Sequence, residues 1–249
     1  MNTLITGASS GIGEAVAVEC ARRGDALFLC GRNRERLEAV AAKCRAAGSP
    51  AVAARVLDVC DREAIDAWFS ECEAAGPVER VFANAGVSTG VENEENVRRT
   101  FAVNVGGTVN TVLAALRIFR ARKAGRRQLL VTSSIAGYGP LASCPAYAAT
   151  KGCLKTWGLS LRGMLKREGI AVSVICPGFV RSRITDENTC PMPFFMEADR
   201  AAKIILRGAD AGRGIIAFPW PMRFATWLLS AMPLWMNDMV NALLPPKRA

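Results

Sequence analysis

The sequence predicts a single doubly wound α/β domain, and three observations carry that prediction. Short apolar runs of strand length alternate with longer helical patterns along the chain. The first run opens directly into a glycine-rich turn and a helix. No internal repeat and no linker interrupts the alternation, so one domain over 1–249 is expected, with 219–249 as an apolar extension of it. A chain of 249 residues that is 51% hydrophobic has ample material for a buried core and is too apolar for general disorder.

Thr3–Thr6 is the first strand, followed by Gly7-Ala8-Ser9-Ser10-Gly11-Ile12-Gly13 and a helical pattern over 14–23. Glycines at 7, 11 and 13 let the backbone turn tightly and approach a pyrophosphate, and the helix N-terminus offers free N–H groups and a positive dipole end. A glycine turn without a ligand is the competing reading. Ala26–Cys30 is the second strand and ends in Gly31-Arg32-Asn33-Arg34 before a helix over 34–47. An acidic residue at this strand end would bind the ribose 2′-hydroxyl of NAD. Gly31 stands there and Arg32 follows, which favours the 2′-phosphate of NADP, with NAD the second choice and Arg34 the second arginine.

Ala51–Leu57 is the third strand and closes on Asp58-Val59. Asp58 either accepts from an adenine amino group or caps the helix that begins near Asp61. After a helix over 61–75, the strand Arg80–Ala83 ends in Asn84-Ala85-Gly86, small enough to admit a cofactor. A long helix over about 97–122 contains Asn104 in apolar surroundings, where it either braces the backbone or serves an active site. Gln128–Thr132 is the fifth strand, with Ser133-Ser134 at its carboxyl end. Ala171–Cys176 ends in Pro177-Gly178; Phe179–Arg200 is a long connection without periodicity, then a helix over 197–209 and a last strand, Gly214–Phe218. In open parallel sheets ligands lie beyond the carboxyl ends of strands, so Ser134 and a side chain on the next helix can converge.

That helix carries Tyr147 and Lys151, four residues apart and so on one face. Pro145 suits a first helical position, Ser143 is a candidate cap, and Leu154, Trp157, Leu161 and Leu165 continue the apolar stripe. A cation beside a phenol stabilises phenolate and so lowers the tyrosine pKa toward the range of a general acid or base. A pair on an exposed helix face is the alternative. The sequence holds no histidine, which removes histidine-based nucleophilic triads, histidine general bases and the common zinc sites. The nine cysteines form no Cys-x-x-Cys pair and read as reduced, buried thiols of a cytoplasmic protein, and no signal peptide is expected. Lys and Arg total 32 against 22 Asp and Glu, a net charge of +10 that suits anionic partners without choosing among them. The arginines are dispersed, which argues against nucleic acid.

Taken in order, Thr6-Gly7-x-x-x-Gly11-x-Gly13, Asn84-Ala85-Gly86, Asn104, Ser134, Tyr147-x-x-x-Lys151 and Pro177-Gly178 resemble the classical short-chain dehydrogenase/reductase family over about residues 3–218. The resemblance implies a three-layer Rossmann fold with a seven-stranded parallel sheet and a short apolar helical extension. It implies a catalytic set of Asn104, Ser134, Tyr147 and Lys151, and hydride transfer between a nicotinamide and a carbonyl or alcohol carbon. Ser134 would hold the substrate oxygen, Tyr147 move the proton, Lys151 lower the tyrosine pKa and bind the ribose, and Asn104 hold a water. Cofactor contacts are implied for Gly7, Ser9, Ser10, Gly11, Ile12, Gly13, Arg32, Asp58, Val59, Asn84, Ala85, Gly86, Tyr147, Lys151, Pro177, Gly178, Val180 and Ser182. Ala83 and Ser182 depart from the usual asparagine and threonine of the family, and neither departure is expected to abolish activity. The family's habit also implies a homodimer or homotetramer, through helices near 104–122 and 146–167.

The segment Pro219–Ala249 differs in kind: Trp220, Trp227 and Trp235 are interleaved with Met, Leu and Phe, and Lys247-Arg248 follow. Its apolar stretch is interrupted by Pro233 and is too short to span a bilayer, which takes ~20 residues. A lid over an apolar substrate, an oligomer contact and a peripheral membrane contact all remain open. Pro191-Met192-Pro193-Phe194-Phe195-Met196 likewise suggests an apolar pocket. A catalytically silent NADP-binding sensor or scaffold, acting through the tail, is the alternative function.

Overall fold

The computed structural model describes residues 1–89, 91–122, 124–186 and 192–243; Pro191, Lys247 and Arg248, named above, and Cys190, one of the nine cysteines, lie outside the described residues. Strands β1 (Asn2–Thr6), β2 (Ala26–Gly31), β3 (Val52–Val56), β4 (Arg80–Ala83), β5 (Gln128–Thr132), β6 (Ala171–Pro177) and β7 (Ile215–Phe218) form one parallel sheet in the order β3-β2-β1-β4-β5-β6-β7. The order reverses between β1 and β4, opening a crevice at their carboxyl ends.

The helices are α1 (Gly11–Arg22), α2 (Arg34–Ala46), α3 (Arg62–Ala75), α4 (Glu94–Phe101), α5 (Thr108–Ala121), α6 (Pro145–Leu165), α7 (Arg183–Asp186), α8 (Ala198–Asp210), α9 (Trp220–Ala231) and α10 (Leu234–Leu243). Adjacent strand residues point to opposite faces, and the core divides accordingly. Leu4, Val81 and Leu129 pack with Phe69 of α3, Phe119 of α5 and Leu161 of α6. Ile5, Phe82 and Leu130 pack with Val16 of α1, Leu37 of α2 and Ile205 of α8. Covered on both faces, β4 and β5 are buried along their whole length, which is why they read as apolar runs. At the amino ends of the strands Arg80 is fully buried, its Nε donating to Gln128 at 2.7 Å and its NH2 pairing with Asp210.

Four local expectations are corrected. The helix expected over 97–122 is α4 and α5 joined by a π-helical segment, Ala102–Gly107. Gly107 approaches β3's outgoing loop so closely that a Cβ there would stand 2.3 Å from Val59 Cγ2. Ser143 does not cap α6; Cys144 holds the cap position, and Glu92 Oε1 accepts from Ala146 N at 3.0 Å, a carboxylate at the positive end of the helix. The connection after β6 is not irregular throughout: it contains α7, and Val180 bridges Met196 in parallel. The cysteines are not all buried, since Cys60 and Cys153 are exposed and Cys144 is half-buried.

Candidate active site

A cleft of about 490 Å³ runs along the carboxyl ends of the strands. At one end lies the β1–α1 turn, where Gly7 and Gly11 have φ of +66° and +57°, conformations that side chains disfavour. The glycines are also required by contact. A Cβ at Gly13 would stand 2.2 Å from Gly7 O, and one at Gly7 would stand 2.7 Å from Ala85 Cα. Asn84 stitches three strands together: its Nδ2 donates to Thr6 O and Gly7 O, each at 3.3 Å, and its Oδ1 accepts from Thr132 Oγ1 at 3.3 Å. What remains is a bare backbone cradle facing the N-terminus of α1, the arrangement that accepts a pyrophosphate.

Beyond β2, Gly31 closes on Ser9, and Arg32, Asn33 and Arg36 line the cleft. Arg32 faces Asp58 at 3.7 Å, both half-exposed. Asp58 also accepts from Cys60 N at 2.9 Å, while Asp61 caps α3 by accepting from Ala64 N; the capping role left open for Asp58 therefore falls to Asp61. Arg36 was not anticipated. Its Nε is buried without a hydrogen-bond partner among the described residues, an unsatisfied donor on the cleft wall. Its signal in the sequence was an arginine in the first turn of the helix that follows β2. Arg34, the second arginine expected, does not line the cleft.

The opposite end is built by β5 and α6. Ser134 ends β5, accepts from Ala136 N at 3.1 Å, donates to Pro177 O at 3.3 Å and shares a side-chain hydrogen bond with Tyr147. Lys151 is buried, donates from Nζ to Thr132 O at 3.1 Å and lies 5.6 Å from the Tyr147 ring centre. Gly86 keeps this approach open, since a Cβ there would stand 3.3 Å from Lys151 Nζ. The expected lowering of the tyrosine pKa is not what this geometry produces. Burial pushes the Tyr147 phenol up to about 12, with the Ser134 hydrogen bond opposing it. Burial likewise pulls Lys151 down to about 8. The ammonium is engaged with a carbonyl of β5, so desolvation outweighs its attraction for phenolate.

Asn104 sits behind this pair, fully buried in the π-helical segment. Its Oδ1 accepts from Val87 N at 2.7 Å, and its Nδ2 donates to Val87 O at 3.0 Å and Thr150 Oγ1 at 3.1 Å. It braces the strand end after Gly86 and the turn of α6 between Tyr147 and Lys151. π-Helical insertions commonly mark functional positions.

The cleft brings together Gly7, Ser9, Ser10, Gly11, Ile12, Arg32, Val59, Asn84, Ala85, Gly86, Ser134, Tyr147, Lys151, Pro177, Gly178, Val180 and Ser182, all anticipated from the sequence. Besides Arg34, three anticipated residues do not line it: Gly13 packs under the turn, Asn104 lies behind the wall, and Asp58 opens onto a neighbouring groove. Besides Arg36, the sequence reading missed Asn33, Val87, Arg99 and Arg183, which reach the cleft from positions without a distinctive spacing. At the Ser134 end the wall turns apolar. The bare Cα of Gly178 admits Pro219, Met222 Sδ and Ile135 Cδ1, which a Cβ would meet at 2.9, 3.2 and 3.3 Å.

The family described as short chain dehydrogenase matches residues 1–191. An uncharacterized oxidoreductase of Myxococcus xanthus is 38% identical over 236 residues, covering 92% of each chain. A short-chain dehydrogenase from Sphingobium yanoikuyae, solved in complex with NADPH, superposes with a TM-score of 0.79 at 26% identity, covering 100% of this chain and 98% of that one. A short chain dehydrogenase from Mycobacterium paratuberculosis bound to NAD superposes with a TM-score of 0.75 at 23% identity, over 87% and 94% of the two chains.

Proposed function

This chain belongs to the short-chain dehydrogenase/reductase family, and on that premise we propose that it is an NADP(H)-dependent oxidoreductase that interconverts a carbonyl and a secondary alcohol on an apolar substrate. The observation that carries the reading is one cleft with two chemically different ends: a glycine cradle flanked by Arg32 and Arg36, and a Ser134–Tyr147–Lys151 cluster beside an apolar wall. The residues present fit a dinucleotide. Gly7, Ser9, Ser10, Gly11 and Ile12 would hold the pyrophosphate, Asn84-Ala85-Gly86 would line its path, and Pro177, Gly178, Val180 and Ser182 would hold the nicotinamide end. Preference for NADP is supported by Gly31 where an acidic residue would select NAD, and by the unsatisfied Arg36 Nε.

Bound nicotinamide supplies or accepts the hydride. Ser134 holds the substrate oxygen by a hydrogen bond. Tyr147, neutral at pH 7 because its pKa lies near 12, donates its proton to that oxygen as the carbonyl is reduced. Lys151, still mostly protonated at pH 7, stabilises the phenolate that donation leaves behind. Asn104 keeps Lys151 and Tyr147 in register through Thr150. Pro219, Met222 and Ile135 support an apolar substrate. Exposed Phe101, Leu113 and Met164 on α4, α5 and α6 support association of copies through those helices, and the thiols support a cytoplasmic location.

The test is Tyr147→Phe, with turnover followed as NADPH consumption over a panel of apolar ketones. Affinity for NADPH stays within a factor of about two, and turnover falls by about two to four decades, the usual contribution of a positioned proton donor. A variant with full activity overturns the assignment.

A further inference from the structure

The two C-terminal helices carry their apolar residues on the wrong face for a water-soluble lid. Along α9, Trp220, Phe224, Trp227 and Leu228 recur at spacings that put them on one side, and that side faces outward, with Trp220 78% and Trp227 54% exposed. In α10, Leu234, Trp235 and Met239 are also exposed, Trp235 at 63%. The inward face is held by polar groups. Asn237, buried, donates to Leu229 O at 2.7 Å; Asn241 accepts from Ala142 N at 2.9 Å and donates to Pro140 O at 3.3 Å. Asn237 thus ties α10 to α9, Asn241 ties α10 to Pro140 and Ala142, and Met222 packs α9 against Gly178, while seven large apolar side chains point away from the protein.

Charge on this face selects the surroundings. Arg223 stands between Trp220 and Phe224 and hydrogen-bonds the Tyr138 hydroxyl, and Lys155 Nζ lies 3.9 Å from the centre of the same Tyr138 ring. Neither cation has a carboxylate within ion-pair distance among the described residues. A chain at +10 repels a second copy of itself, and Arg223, exposed on α9, adds to that charge at this face. An anionic surface complements it. Tryptophan favours the boundary between headgroups and acyl chains, where its ring is apolar and its N–H is hydrated. We propose that the outward face of α9 and α10 docks this protein on an anionic lipid bilayer, with the aromatic and aliphatic side chains at headgroup depth and Arg223 against lipid phosphates. The docked rim is the one beside the apolar wall at Gly178, so the cleft's Ser134 end lies next to the lipid. The docking does not depend on which substrate or nucleotide the cleft takes.

The experiment is co-sedimentation of the full-length protein with vesicles of phosphatidylcholine alone and of phosphatidylcholine mixed with phosphatidylglycerol, with tryptophan fluorescence recorded in parallel. Partitioning onto the mixed vesicles exceeds that onto phosphatidylcholine by about tenfold, with a blue shift of emission. The double variant Trp227→Ser/Trp235→Ser loses that partitioning while keeping its melting temperature and NADPH affinity, and Arg223→Gln narrows the difference between the two vesicles. Absence of partitioning onto mixed vesicles overturns the proposal, as does equal partitioning onto both kinds or an unaltered double variant. If the double variant converts an oligomer to a monomer by light scattering and the wild type ignores vesicles, the face belongs to a second copy and the proposal is wrong.

Discussion

Replacing Arg36 by methionine tests the nucleotide preference at a cleft residue whose buried Nε has no partner among the described residues. Methionine preserves much of the apolar stem and removes the guanidinium. The Arg36 Nε has no partner among the described residues, so removing it breaks no bond at that atom, and stability is unchanged or slightly raised. With a 2′-phosphate present, a charge-assisted hydrogen bond contributes ~1.5–3 kcal/mol. At 1.4 kcal/mol per decade, NADPH affinity falls by about 10- to 150-fold in Arg36→Met, whereas NADH, which lacks that phosphate, changes by less than about twofold. Arg32→Ala has a smaller effect, about fivefold, because Arg32 already shares its charge with Asp58 across 3.7 Å in a half-exposed pair. Titration calorimetry with both nucleotides at one ionic strength measures the four constants. Equal loss for NADPH and NADH would mean that Arg36 shapes the cleft and does not read the phosphate. An unchanged NADPH constant would refute the reasoning outright.

Two further predictions rest on electrostatics. Because burial depresses Lys151 to about 8, its charge is present below that pH and lost as pH rises through it, so kcat/KM for carbonyl reduction falls above pH 8. A profile that stays flat to about pH 9.5 would contradict the role given to the ammonium. Asp210→Asn leaves Arg80 buried without its counter-charge and weakens Arg23 and Arg126 on the same carboxylate, and the expected loss is about 3 kcal/mol in urea unfolding. Since this cluster lies at the strands' amino ends, NADPH affinity of the folded protein is unaltered. A variant with wild-type stability would mean that water already solvates the Arg80 guanidinium.

Most of the fold and much of the site were legible in the sequence because they depend on local geometry. Strand and helix periods alternate within windows of a few residues. The glycines at 7, 11 and 13 and the four-residue step from Tyr147 to Lys151 are spacings along one element. Elements meeting at a parallel sheet's carboxyl edge then necessarily bring Ser134 and Tyr147 to one cleft. What only the tertiary structure decided depends on groups distant in the chain. Glu92 receives the N-terminus of α6, Asn104 turns inward through a π-helical segment to hold Val87, and the Arg36 Nε is left without a partner among the described residues where α2 borders the cleft. The sign of the Tyr147 shift belongs here too, since a lysine four residues away argues for lowering while burial by several elements raises it. So does the outward face of α9 and α10: composition identified the segment as apolar, but only packing against Pro140 and Ala142 determined which side was left facing out. Period and spacing are properties of one stretch of backbone, whereas burial, pairing and exposure are properties of what the rest of the chain places beside it.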